Sequence, residues 1–124
     1  MYRILVVDDE AAIVKLLQEF LRKFGFEVIK AAGGEEALAM LCSPEAFDLM
    51  IVDMKMPKVA GLEVLREFKK TRGETPFIVL TGSIDIERNE KELAEAGCTK
   101  ETMLYKPVDL FLLLGMVKKL LGIQ

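Results

Sequence analysis

Ile4–Val7, Leu49–Val52 and Phe77–Leu80 are short stretches with no polar residue inside them, and each stops at a polar one: Asp8, Asp53 and Thr81. An apolar run too short for a helix reads as a strand covered on both faces, as in a parallel sheet held between layers of helices. The intervening sequence supplies those helices. Ile13, Leu16, Leu17, Phe20, Leu21 and Phe24 recur at steps of three and four, an amphipathic helix that Gly25 stops in the C′ position. Phe26–Ala31 is a strand diluted by Glu27 and Lys30, which suits a sheet edge. Gly33-Gly34 turns the chain into a short helix over Glu35–Leu41, broken by Ser43-Pro44. Further helices are predicted over Leu62–Thr71, Ile84–Ala96 and Leu110–Leu121, the last capped by Asp109, with a brief fifth strand at Met103–Tyr105. Strand and helix alternate five times with short connections. The pattern is that of an α/β protein with a doubly wound, five-stranded parallel sheet in a three-layer α/β/α sandwich.

Length and composition narrow the function. The chain has 124 residues, a single domain over 1–124 that can bury a core without disulfides or metal staples. At 52% hydrophobic residues it is too apolar to be disordered. No apolar run approaches the ~18 residues of a membrane span, and the first strand is too short and too soon followed by acids for a signal peptide. A cytoplasmic location with no membrane partner is expected. Cys42 and Cys98 are isolated, with no CxxC spacing, and the chain has no histidine. Zinc and Ser-His or Cys-His nucleophiles are thereby disfavoured, and reduced, partly buried thiols are expected. Net charge is -3 with the cations scattered, so direct nucleic-acid binding is not expected.

Four strands finish in polar residues: Asp8 and Asp9 after the first, Asp53 after the third, Thr81 after the fourth and Lys106 after the fifth. Parallel strands place all of these ends on one rim, where ligands of open α/β sheets bind. In a 2-1-3-4-5 strand order the first and third strands would be neighbours, and three carboxylates would then converge. At ~4 Å and an effective dielectric of ~20, each like-charged pair costs roughly 4 kcal/mol. Either a carboxyl pKa rises, or a divalent cation relieves the crowding. Oxygen ligands alone favour Mg2+, which keeps several waters and leaves room for a phosphate oxygen. Lys106 is a point charge suited to that phosphate, and Thr81 offers a hydroxyl. A carboxylate nucleophile, a hard metal, a cation and a hydroxyl are what phosphoryl transfer to an aspartate requires. Singly, each has a bland reading: Asp8-Asp9-Glu10 as a helix N-terminus, Asp53 as a cap, Thr81 as a turn residue, Lys106 as a solvated lysine. Their coincidence at successive strand ends favours the chemical one.

The motifs Ile4-Leu-Val-Val-Asp-Asp-Glu10, Asp53-Met-Lys-Met-Pro57 with Gly61, Leu80-Thr-Gly82 and Lys106-Pro107 resemble those of response-regulator receiver domains, the phosphoacceptor modules of two-component signalling. Gly34-Glu-Glu-Ala-Leu38 and Glu95-Ala-Gly97 match as well, so the resemblance covers nearly the whole chain. It implies a flavodoxin-like fold with strand order 2-1-3-4-5. It further implies that Asp53 takes a phosphoryl group from a histidine kinase or histidine phosphotransfer protein. Asp9, Asp53 and the Lys55 backbone carbonyl would hold Mg2+ directly, with Asp8 acting through metal-bound water. Lys106 would pair with the phosphate, Thr81 would move to bond it, and the Lys106-Pro107 peptide would be cis. Lys55 and Ser83 fall where the family tunes dephosphorylation. The implied output is a downstream protein or fused domain.

Two departures stand out. The family's inward-rotating aromatic, three residues before the lysine, is Met103 here, and the segment from Gly97 to Lys106 is longer than the family pattern. Tyr105 shares strand parity with Met103 and is a candidate to stand in for that switch residue. On the last helix, Leu110, Leu113, Leu114, Val117 and Leu121 form a core face, while Phe111 and Leu112 fall outside it. They mark either a homodimer or partner contact through the last helix region, or ordinary exposed apolar residues. Beside a switch that turns over no external metabolite stand three rivals. A hydrolase of the haloacid-dehalogenase type would want a second acid two residues after its nucleophile. A flavodoxin-like module would meet its flavin phosphate with Ser and Thr rather than Asp8-Asp9-Glu10. A degenerate receiver used only for protein contacts would not need the site residues intact.

Overall fold

The computed structural model describes residues 1–56, 58–82 and 90–123. Strands β1 (Arg3–Val7), β2 (Glu27–Ala31), β3 (Leu49–Asp53), β4 (Phe77–Thr81) and β5 (Met103–Tyr105) form one wholly parallel sheet in the order β2-β1-β3-β4-β5. Helices α1 (Ala11–Lys23), α2 (Gly34–Leu41), α3 (Gly61–Arg72), α4 (90–95) and α5 (Leu110–Leu121) connect and follow them. The doubly wound sheet is as the sequence pattern predicts, and its strand order is the one the family resemblance implies. Of the helix expected over Ile84–Ala96, residues 84–89 lie outside the described residues, as do Ser83 and Pro57.

The apolar runs work by alternation. Successive residues of a strand face opposite sides, and both sides are covered. Ile4 and Val6 pack with Leu17 and Leu21 of α1 and Leu113 and Val117 of α5. Leu5 and Val7 belong to the opposite cluster, with Ala37 of α2 and Val64, Leu65 and Phe68 of α3. Each fully buried aliphatic or aromatic side chain stabilises by roughly 1.5–3 kcal/mol, so two continuous cores hold the central strands rigid. β2 is one edge of the sheet, with Glu27 and Lys30 exposed. Arg72 ties α3 to the end of α2. Its guanidinium donates to the carbonyls of Met40 (3.3 Å), Leu41 (3.2 Å) and Ser43 (3.2 Å) and lies 5.1 Å from the Phe47 ring.

The helix ends follow the sequence signals. Gly25 has φ +89° just past α1, where a left-handed residue is needed. Between Gly97 and Lys106 the chain forms a 3-10 turn, Lys100–Thr102, closed by reciprocal bonds between Thr99 and Thr102. On α5, Phe111 and Leu112 are both exposed, at 72% and 54%, as their place outside the core face implies; the Phe111 ring also meets Phe20 edge-on at 5.4 Å and Phe24 at 6.5 Å. Cys42, at the C-cap of α2, is exposed rather than partly buried. Cys98 is half-buried, and burial pushes its thiol up to about 11, so it stays protonated.

Asp109 caps α5 with its side chain accepting from the Phe111 and Leu112 amides, both at 3.1 Å. Asp109→Ala is expected to lower unfolding free energy by about 1 kcal/mol in urea titrations; an unchanged midpoint would contradict this assignment.

Candidate functional site

β1 and β3 lie side by side, with Val7 paired to Val52, so the residues that follow them emerge together at the carboxyl rim. Asp53 closes β3 and is 1% exposed; Asp8 follows β1 and is equally buried. Thr81 closes β4 and is fully buried. Lys106 follows β5, its amide donating to the Thr81 carbonyl at 2.9 Å, so the β4–β5 register sets where the lysine stands. The Lys106-Pro107 peptide is cis. Thus the sheet assembles in space four residues scattered over the chain.

The Lys106 ammonium lies 2.9 Å from Asp53 Oδ1, which also accepts the Lys55 amide at 3.3 Å. Asp8 Oδ1 accepts the Glu10 amide at 3.0 Å, whereas Asp8 Oδ2 is buried with no hydrogen-bond partner. Burial pushes the Asp8 carboxyl up to about 6; the Glu10 amide opposes this and the Asp53 charge adds to it. Burial lowers the Lys106 ammonium, but its bond to Asp53 and the charges of Asp53, Asp8 and Glu10 outweigh that and raise it. The Lys106 shift reflects the negative charge around it on the rim, whereas the Asp8 shift is chiefly the cost of burying its carboxylate. Thr81 Oγ1 donates to the Gly82 carbonyl at 3.0 Å.

Three carboxylates meet, but the third is Glu10. Oxygens of Asp8, Glu10 and Asp53 all lie within 4.8 Å of one another. Asp9 is exposed, as Glu10 is, and lines the same cavity of about 420 Å3 together with Glu10, Asp53, Lys55, Met56 and Lys106. The chain turns outward after the buried Asp8, while Glu10, at the N-cap of α1, has a longer side chain that reaches back to the rim. A bare cluster of this kind is electrostatically costly, and the orphaned Asp8 oxygen is a ligand position without an occupant's hydrogen bond. All donors are oxygens, so the residues present fit a hard divalent cation such as Mg2+.

Gly61 shapes the chain after Asp53. The Gly61 amide donates to the Met54 carbonyl at 3.1 Å, and a Cβ on Gly61 would lie 2.8 Å from Met54 Cα and collide with the Asp53 carbonyl. The expectation that Gly61 closes this segment therefore has a steric cause. Met103 is half-buried against the core face of α2 and α3. Tyr105, 53% exposed, pairs in register with Thr81 and shares its face of the sheet. That cross-strand pairing depends on register and could not be read from the sequence alone.

Among the described residues no helix is long and apolar enough to cross a membrane. The family model for the response regulator receiver domain matches residues 4–118. Among curated relatives, the transcriptional regulatory protein CpxR of Klebsiella pneumoniae is 43% identical over 81 residues, 65% of this chain and 34% of CpxR. The alkaline phosphatase synthesis transcriptional regulatory protein PhoP of Bacillus subtilis is 43% identical over 79 residues, 64% of this chain and 32% of PhoP. The chain thus spans about a third of the length of these relatives. Among solved structures, a response regulator receiver domain protein from Clostridium thermocellum superposes with TM-score 0.87 at 32% identity, covering 98% of this chain and 95% of that one. The response regulator protein TrrA of Thermotoga maritima, solved in complex with Mg2+-BeF, gives TM-score 0.84 at 38% identity, covering 97% and 99%. With its fold, its rim of site residues and its sequence all matching, the chain belongs to the response regulator receiver domain family.

Proposed function

We propose that this domain is a phosphoacceptor switch in which Asp53 receives a phosphoryl group from a phosphohistidine of a histidine kinase or histidine phosphotransfer protein. The observation that carries the reading is a buried Asp53 carboxylate held 2.9 Å from the Lys106 ammonium, beside an Asp8 oxygen with no partner of its own. A carboxylate is a weak nucleophile, and the work of the site is positioning and neutralisation. An Asp53 oxygen forms the new bond to phosphorus as the phosphorus–nitrogen bond of the donor breaks, its electron pair leaving with the imidazole. Lys106, already on Asp53 Oδ1, is placed to transfer its contact to a phosphoryl oxygen. Thr81 exchanges its bond to the Gly82 carbonyl for one to the phosphoryl group, pulling on the end of β4. Asp8, Asp9, Asp53 and the Lys55 carbonyl would hold Mg2+, with Glu10 at the margin. Bound there, the ion supplies charge neutralisation between carboxylates and phosphoryl oxygens.

The domain accordingly catalyses only its own phosphorylation and dephosphorylation, in the cytoplasm. Its output runs through a downstream protein or fused domain, as the transcriptional relatives suggest, with Tyr105 beside Thr81 taking the switch role that Met103 cannot. The exposed Leu112 and Tyr105 at the last helix and its neighbouring strand offer a surface for a partner or a second copy.

Incubation with acetyl phosphate and Mg2+ is expected to add one phosphoryl mass to the wild type and none to Asp53→Asn, read by intact mass spectrometry. A gain shared by both, or absent from both, would overturn the assignment.

A pH experiment tests the electrostatics. The Asp8 carboxyl titrates near 6 when folded against an ordinary 3.8, so in this interval the folded state binds the extra proton. Stability of the metal-free protein therefore falls as pH rises from 4 through 6, by roughly 2–3 kcal/mol, and is flat for this group outside that window. Relative to wild type in EDTA, Asp8→Asn is expected to gain stability across the same window. Parallel pH profiles of the two proteins by urea unfolding would refute it.

A further inference from the structure

The loop after Asp53 is pinched between two backbone contacts that only glycine permits. One is Gly61 against the Asp53 carbonyl, on the α3 side. The other lies across the loop, where α2 begins. A Cβ on Gly34 would fall 2.5 Å from Val59 Cβ and 2.6 Å from Val59 Cγ1, and would collide with the Val59 carbonyl oxygen as well. Gly34 is buried and is the first residue of α2. Real Cβ atoms do not approach backbone this closely, so a side chain at 34 must displace either α2 or the loop. At its far end α2 is held by Arg72, whose guanidinium takes the carbonyls of Met40, Leu41 and Ser43. With the helix anchored there, the loop is the part that yields.

That loop also contains Lys58 at φ +64°, a left-handed conformation that an L side chain adopts at a cost. Such a conformation persists only where the surroundings enforce it. From the phosphoacceptor reading, on which this step rests, we infer that Gly34 is a positioning residue for the cation site. It lets the first turn of α2 seat on Val59 and hold the segment carrying Lys55 against Asp53. The close contact that Gly34 permits is with Val59, and its action is transmitted through that residue. Displaced supports of metal ligands typically cost about 10- to 100-fold in metal affinity.

The test compares Gly34→Ala with Arg72→Ala, which loosens the other end of α2, and with Gly115→Ala, where an added Cβ meets nothing within 4 Å. Backbone NMR of the metal-free proteins reads the amides of Lys55 and Gly61, whose bonds to Asp53 Oδ1 and the Met54 carbonyl report the loop. Mg2+ titration then reads affinity. Gly34→Ala is expected to shift both amides and to weaken Mg2+ about tenfold or more. Arg72→Ala should lower the melting temperature with Mg2+ affinity retained, and Gly115→Ala should do neither. Should Gly34→Ala fail to fold, Val59→Ala, which opens slack at the same contact, is expected to shift the same two amides and weaken Mg2+ in the same direction. Lys55 and Gly61 amides unmoved in whichever variant folds, or affinity lost equally in Arg72→Ala, would overturn the inference. The amide shifts are read without metal, so they stand apart from whether the parent protein takes a phosphoryl group.

Discussion

Asp8 and Asp53 are carboxylates almost wholly withdrawn from solvent, and the Lys106 ammonium is in contact with Asp53. Burial of like charges at this spacing opposes folding unless something compensates. Here the compensation is incomplete: Lys106 sits on Asp53, while one oxygen of Asp8 is left without a hydrogen bond and its carboxyl holds a proton more tightly than usual. Glu10 adds to the imbalance from the margin. A site that is uncomfortable empty gains the most from a cation, and a cation there lowers the repulsion that an incoming phosphoryl group would meet.

The remainder of the fold keeps that arrangement from relaxing. β1, β3 and β4 are covered on both faces, so the strand ends cannot spread without uncovering a core. The β4–β5 register places Lys106, and glycine contacts on both sides of the loop after Asp53 leave it little freedom. The rigidity sits below the rim and the adjustable parts on it. Thr81, with a bond to its neighbour's carbonyl, and the exposed Tyr105 paired across from it are the groups free to exchange contacts.

The central strands were legible in the sequence because uninterrupted apolar runs have few other uses, and the polar residue ending each run marked the rim. The edge strand was legible from Glu27 and Lys30 for the complementary reason. What escaped was decided by side-chain reach and register. Asp9 and Glu10 both follow the first strand, and only the outward turn after Asp8, with the extra methylene of glutamate, brings Glu10 to the cluster. Phe111 is exposed, as its place off the core face implied, but its ring contacts with Phe20 and Phe24 join residues far apart in the chain and have no local signature. Gly34 resembled a simple helix start. Its close approach to Val59 is a long-range packing fact with no local signature.

The account turns on divalent cation binding by the crowded carboxylates, and calorimetric titration of Mg2+ into the metal-free protein measures it most directly. It predicts one saturable site at millimolar concentrations, with proton release near pH 6 as Asp8 gives up its proton. Heats indistinguishable from dilution across that range, with no proton release, would contradict it.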